Sequence, residues 1–346
     1  MPAARPETVA LIGEAPAFSA MLEHVSRAAP LSKPVLVIGE RGTGKELIAS
    51  RLHYLSERWE QPLIKVNCAA LTESLLESEL FGHEAGAFTG ATRTHIGRFE
   101  QANGGTLVLD ELGTIPLRMQ EKILRVIEYG EFQRVGGAKT LRTDVRVVGV
   151  TNANLPRLAR RGHFRADLMD RLAFDVIHVP PLRARPEDIE PLAYHFGVNV
   201  TSELKREFFP GFTPAAKAAL LGYSWPGNVR ELKNAVERSV YRAEDPSKPI
   251  DKILFDPFDS PYAPADDSPE EQLEREEHAS SARHETEVPS DFRAAVADFE
   301  VRVLKRALER AQFKQTVAAR LLGLSYHQLR SLLRKHGLAK ATAPET

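Results

Sequence analysis

Val35-Leu36-Val37-Ile38-Gly39-Glu40-Arg41-Gly42-Thr43-Gly44-Lys45-Glu46 runs from a short apolar stretch through three glycines into a lysine that opens a helical pattern. Strand, glycine-rich turn and helix start, in that order, are the context a phosphate-binding loop requires. The glycines let backbone N–H groups converge on phosphate oxygens, and the helix N-terminus adds positive potential. Gly39, Glu40, Arg41, Gly42, Thr43 and Gly44 are expected to form the cradle, with Lys45 reaching the β- and γ-phosphates. The general motif continues with Ser or Thr as a Mg2+ ligand; here the position is Glu46. A chance Gly-rich turn is the plain alternative, and the flanking strand and helix patterns weigh against it.

Outward from this loop, short β-branched runs recur at Leu63-Ile64-Lys65-Val66, Leu107-Val108-Leu109, Val145 to Val150 and Val176-Ile177-His178-Val179. Helix-length stretches separate them. The pattern predicts an α/β fold with a mostly parallel sheet covered by helices over about 9–180. Residues 181–255 change to helical periodicity, with helices expected over Glu187 to Lys205, Pro214 to Gly222 and Asn228 to Arg242. Pro226-Gly227 marks a turn and Asn228 suits an N-cap. This reads as a small helical lid.

Thr106-Leu107-Val108-Leu109-Asp110-Glu111 is an apolar strand ending in two acids. Beside a phosphate loop, Asp110 can hold Mg2+. Glu111 can orient or deprotonate the attacking water. Acids also end strands for no chemical reason, and it is the pairing with Lys45 that gives them meaning. Asn67 ends the intervening strand, where it either hydrogen-bonds Glu111 or simply forms a turn. Asn152 ends the fourth strand, as a sensor of the γ-phosphate or an ordinary loop start. Arg165 and Arg171, in Phe164-Arg165-Ala166-Asp167-Leu168-Met169-Asp170-Arg171, are either fingers for a neighbouring subunit's nucleotide or paired surface charges. Arg230 begins a lid helix and is placed to approach the γ-phosphate.

Gly86-Ala87-Phe88-Thr89-Gly90-Ala91, preceded by Glu79-Leu80-Phe81-Gly82-His83-Glu84-Ala85, resembles the signature loop of a known family. These are the AAA+ activators of the sigma-54 form of RNA polymerase, the bacterial enhancer-binding proteins. The phosphate loop of that family also ends in Lys-Glu, so Glu46 fits it. The resemblance extends through Asn67, Asp110-Glu111, Arg165, Arg171 and Trp225-Pro226-Gly227-Asn228, over about residues 9–245. It implies an AAA+ P-loop ATPase that binds ATP and Mg2+, assembles as a hexamer and contacts sigma-54 through Gly86 to Ala91. Physically, glycines at both ends permit a tight, mobile hairpin with Phe88 and Thr89 at its tip. Without the resemblance, a buried Phe in a β-turn is the default. Gly130 to Gly137 is similar to the family's second pore-side loop, or is a plain hairpin. Trp59, in a polar stretch, is either a half-buried anchor or a docking point for a regulator. Family members usually begin with a regulatory domain. Here the ATPase begins near Val9, so the resemblance implies control by a separate, negative regulator.

The net charge of −1 is a cancellation. Residues 256–290 carry −9 and five prolines, residues 291–346 carry +6, and residues 1–255 carry +2. The acidic, apolar-poor segment reads as a flexible linker. Beyond it, helices are expected at about Phe292 to Ala311, Gln315 to Leu322 and Ser325 to His336. The last two flank Gly323-Leu324-Ser325, with Ala318, Ala319, Leu322 and Leu324 to pack on, as in an all-α helix-turn-helix. Ser325 would cap the second helix. Its exposed face would offer Tyr326, His327, Gln328, Arg330 and Ser331 to a major groove, with Arg334 and Lys335 on phosphates. A basic protein-binding module is the alternative. The unit looks like the Fis-type domain that ends many family members. There the first helix would pair two copies through Val296, Phe299, Val303, Leu304 and Leu308.

No run is long and apolar enough for a membrane span, and residues 1–8 lack a signal-peptide core. The single cysteine, Cys68, excludes an internal disulfide and a multi-Cys zinc site and fits a reducing cytoplasm. Two other classes share parts of this layout. A replication initiator of the AAA+ type lacks the Gly86–Ala91 loop. A repressor with a dead nucleotide fold would not need Lys45, Asp110 and Glu111 together. The expected function is ATP-driven activation: the chain binds upstream DNA and remodels the closed sigma-54 polymerase complex.

Overall fold

A computed structural model describes residues 11–258, 292–311 and 314–338, which fall into two separate compact units. Most of the acidic segment, together with Val9 and Lys340, lies outside the described residues.

In the first unit, α1 (Pro16–Ala28) precedes β1 (Val35–Ile38), α2 (Lys45–Tyr54), β2 (Leu63–Asn67), α3 (Glu73–Phe81), α4 (Arg98–Gln101) and β3 (Thr106–Asp110). Then come α5 (Leu117–Tyr129), β4 (Glu131–Gln133), β5 (Thr140–Arg142), β6 (Arg146–Thr151), α6 (Leu155–Arg160), α7 (Ala166–Leu172) and β7 (Asp175–His178). Five strands form one sheet in the order β2-β3-β6-β1-β7, and every neighbouring pair is parallel. The β-branched runs explain why: a parallel sheet is buried on both faces and wants continuous apolar strands. Alternate residues feed two cores. Leu36, Leu107, Leu109 and Val147 face α3, α5 and α7, while Val35, Val37, Val108 and Val148 face α1 and α2. Because all five strands point the same way, Asn67, Asp110, Thr151 and Gly39 emerge along one edge, the edge where α/β sheets bind ligands. β4 and β5 pair antiparallel as a separate hairpin.

The lid follows with α8 (Ile189–Glu203), α9 (Pro214–Gly222) and α10 (Asn228–Tyr241). Its core centres on Trp225, fully buried, whose ring meets Tyr223 and Phe255 and whose indole N–H donates to the Leu220 carbonyl at 2.9 Å. Trp225 also holds a left-handed backbone (φ 51), an unusual state for a bulky residue. The α10 N-cap is Gly227, with the Glu231 carboxylate accepting its N–H at 2.7 Å. Asn228 is therefore the first helical residue rather than the cap, which leaves its side chain for another task. Trp225→Ala is expected to destabilise the lid by about 3–5 kcal/mol through cavity formation. Denaturant unfolding checks this, and a loss below about 1 kcal/mol would remove Trp225 as the lid's anchor.

The second unit is all-α: α11 (Phe292–Arg310), α12 (Gln315–Leu321) and α13 (Tyr326–Lys335). Leu304, Ala307, Leu308, Ala311, Ala318, Ala319, Leu329 and Leu333 form its core. Gly323 (φ 64) makes the turn between α12 and α13. The expected pairing face of α11 needs correction. Leu304 and Leu308 are consumed by the unit's own core, Val303 is half-buried, and Phe299 is 61% exposed. The side chain of Val296 lies outside the described residues.

Candidate functional site

The loop between β1 and α2 is held in the shape phosphate binding needs. Gly42 (φ 76) and Gly44 (φ 93) adopt left-handed conformations that other residues resist. The Lys45 ammonium donates to the Glu40 carbonyl at 2.8 Å, and the Thr43 hydroxyl donates to the same oxygen at 2.9 Å. Lys45 is buried, and burial pulls its pKa below the usual lysine value, opposed by the charges of Glu111 and Asp110. Those two acids and Arg230 and Arg41 are thus the charges that act on Lys45.

Asp110 ends β3, and its Oδ1 accepts the Glu111 N–H at 2.9 Å. Glu111 has a left-handed backbone (φ 53), a sparsely populated state that turns the chain sharply at the sheet edge. No hydrogen bond engages the Glu111 carboxylate among the described residues. The neighbouring Cys68 thiol is pushed up to about 12, first by burial and then by Asp110 and Glu111, so it is an inert neighbour. Asn67 stands beside Asp110 in register, but its Oδ1 accepts the Ala69 N–H at 3.0 Å and closes its own turn. Asn152 is exposed, while Thr151 is buried and its hydroxyl accepts the Ala153 N–H at 3.0 Å. Glu46 turns to Lys65, forming an ion pair at 2.9 Å.

The donor set fits a magnesium ion of the kind nucleotides bring. Among the described residues no cluster of three or more His, Cys, Asp or Glu is placed to hold a metal. One strand-end carboxylate, Asp110, is what a Mg2+ mostly liganded by phosphates and water requires.

A network missed by sequence reasoning joins this loop to the lid. The Asn228 side chain, fully buried, accepts the Leu182 N–H at 2.8 Å and donates to Glu40 Oε2 at 3.1 Å and the Arg41 carbonyl at 3.0 Å. Arg183 forks onto Glu40 (Oε2, 2.7 Å), and buried Arg185 donates to the Thr43 carbonyl at 3.3 Å. The Arg230 N–H donates to the Gly42 carbonyl at 3.2 Å. A Cβ at Gly42 would sit 2.2 Å from the Gly227 carbonyl, so no other residue fits there. Arg183 and then Asn228 hold the Glu40 carboxyl at about 2. A carboxylate depressed in the folded state stabilises fully above its ordinary range near 4.5 and loses that effect as pH falls toward about 2. Acidification through this window is expected to loosen the lid. In Arg183→Ala the pH-dependent loosening should be smaller and complete at higher pH, as followed by hydrogen exchange at the lid; an unchanged size and end point would sink the assignment.

Arg165 pairs with Asp167 (2.7 Å) and Arg171 with Glu128 (2.8 Å), so within one chain both are surface ion pairs.

The Gly86–Ala91 loop is closed by the Gly86 N–H on the Ala91 carbonyl at 2.7 Å. Ala91 is buried, Thr89 exposed and Phe88 48% exposed. The β4–β5 hairpin packs against it. Arg134 bridges Glu84 (2.9 Å) and Glu100 (2.7 Å), and a Cβ at Gly136 would lie 2.7 Å from the Ala87 Cβ. Trp59 is 57% exposed, and Tyr54 and Leu55, a few residues earlier in the sequence, are exposed as well.

In the second unit, Leu329 and Leu333 bury one face of α13 and leave Tyr326, His327, Arg330, Ser331 and Arg334 exposed. Ser325 caps the helix: its hydroxyl accepts the Gln328 N–H at 3.3 Å while Gln328 Oε1 accepts the Ser325 N–H at 2.9 Å. Gln328 thus serves the cap. Lys335 donates to Glu300 at 2.8 Å, an internal contact within the unit.

Residues 11–178 match the family described as the Sigma-54 interaction domain, 183–256 the AAA+ ATPase lid domain, and 295–336 the bacterial regulatory protein, Fis family. The chain is 56% identical to the Psp operon transcriptional activator of Escherichia coli (strain K12), over 94% of this chain and 97% of that one. It is 40% identical to the regulatory protein AtoC of the same organism, over 96% of this chain and 68% of that one. The crystal structure of NtrX from Brucella abortus in complex with ADP shares 32% identity at a TM-score of 0.67, covering 95% of this chain and 70% of that one.

Proposed function

The chain belongs to the sigma-54-dependent transcriptional activators, AAA+ ATPases with a Fis-type helix-turn-helix, and from that membership we propose how its residues divide the work. The Gly39–Lys45 loop cradles the phosphates of ATP. Asp110 holds a Mg2+, which neutralises developing charge on the phosphates when bound. Glu111 takes the proton of the attacking water, and Asn67 and Asn152 report the state of the site. Arg230 approaches from the lid, and Arg165 and Arg171 exchange their surface partners for a neighbour's nucleotide in a hexameric ring. Gly86 to Ala91 contacts sigma-54 and drives the closed polymerase complex toward an open one. Tyr326, His327 and Arg330 read base edges of an upstream activating sequence, with Ser325, Gln328, Arg334 and Lys335 around them.

The observation that supports this most is the separation of tasks in the first unit. Lys45, Asp110, Glu111 and Arg230 gather at the sheet edge, while the half-exposed Phe88 sits on its own glycine-flanked loop. Residues 9–180 act as the ATPase core, 181–255 as the lid, 256–290 as an acidic tether and 291–340 as the DNA reader. Similarity to the Psp operon activator supports a phage shock operon as the target and a cytoplasmic setting, and exposed Trp59 is where a separate negative regulator docks. Among the described residues no helix is long and apolar enough to cross a membrane. The test is purified protein with sigma-54 polymerase and a matching promoter. ATP-dependent open complex is the expected result; a working ATPase without it sinks the proposal.

A further inference from the structure

The Phe88 ring does not stand clear of the body. It meets the His83 imidazole edge-on, with centroids 4.9 Å apart and planes 62° apart. That imidazole is itself fixed. Its other neighbour is the His95 ring, stacked at 5.4 Å, and its Nδ1 shares a hydrogen bond with the Ser78 hydroxyl at 2.7 Å. The backbones of His83 and His95 exchange hydrogen bonds at 3.1 and 2.8 Å. Around Phe88 the opposite holds. Gly86 (φ 83) and Gly90 (φ 98) flank it, and nothing lies within 4 Å of where a Cβ would be at either. A rigid seat thus faces a loop whose two ends have room to turn.

We propose that His83 is a positioning residue for the contact loop: its clamped imidazole is the seat on which Phe88 rests, and sigma-54 takes the ring only after it leaves that seat. The inference rests on the reading of Gly86 to Ala91 as the sigma-54 contact loop. The physical reason is competition for one surface. Phe88 is 48% exposed with one part of its ring against the imidazole, and a partner pocket that buries the whole ring has to displace that contact. An edge-on aromatic pair is worth about 2- to 12-fold in an equilibrium. A chain whose competent state is a minority binds more weakly in proportion to that fraction.

The experiment compares the full chain with His83→Ala, His83→Phe and Phe88→Ala in matched nucleotide conditions. His83→Ala is expected to speed amide hydrogen exchange across residues 86–91 and to tighten sigma-54 binding, each by about 2- to 12-fold. His83→Phe, which keeps an aromatic edge for Phe88, should stay near wild type on both readouts. Unchanged exchange in His83→Ala, or weaker sigma-54 binding, overturns the seat. If Phe88→Ala still binds sigma-54 as wild type does, the contact-loop reading fails, while the exchange rates still judge the seat alone. Should His83→Ala fold poorly, Ser78→Ala loosens the imidazole and leaves the ring in place. The same direction of change in exchange is then expected, and no change overturns the proposal.

Discussion

Glu111→Gln is expected to leave nucleotide binding near wild type and to lower ATP turnover by about 10²–10⁴-fold. The substitution keeps size and shape, so the left-handed turn at the sheet edge and the Asp110 carboxylate beneath it stay as they are. What it removes is the ability to accept a proton. Glu111 is suited to that because its carboxylate has no hydrogen-bond partner among the described residues, unlike Asp110, which is tied to the Glu111 N–H. Lys45 would still meet the phosphates. Steady-state turnover beside a direct nucleotide-binding measurement separates the two effects. Turnover within about tenfold of wild type would transfer the base role elsewhere.

Phe88→Ala is expected to weaken sigma-54 binding by about 30-fold or more, as for an aromatic anchor at the centre of an interface, and to abolish open-complex formation. ATP hydrolysis should continue. The hydrogen bonds of the loop close on itself and on Glu84, and none reaches the phosphate loop among the described residues. Thr89→Ala should give the same separation, since Thr89 stands exposed beside Phe88. Loss of hydrolysis in either variant would mean that the loop and the nucleotide site are coupled by a route other than the hydrogen bonds of the described residues.

The elements were legible because they are local. Val35 to Ile38 and Pro214 to Gly222 fall where their apolar and turn patterns place them, and Ser325 caps its helix as its chemistry demands. The Lys45, Asp110 and Glu111 constellation was legible too, since a parallel sheet brings strand ends to one edge. The lid network was not. Asn228 and Glu40 lie 188 residues apart, and nothing in the periodicity of either segment says that they touch. Arg134, Glu84 and Glu100 escaped for the same reason. The pairing face of α11 was misread because an amphipathic helix shows which residues are apolar, not whether its own unit or a second copy covers them. Leu304 and Leu308 went to the former.

The close approach of Gly42 to Gly227 bears on residence time. For a nucleotide that leaves by lid opening, the lid's first helical turn is bonded into the loop proposed to grip the phosphates. Release therefore cannot be a hinge opening over an undisturbed cradle. Each such opening has to break the Arg230–Gly42 and Asn228–Arg41 bonds together. Opening of the lid and resetting of the loop are then one event.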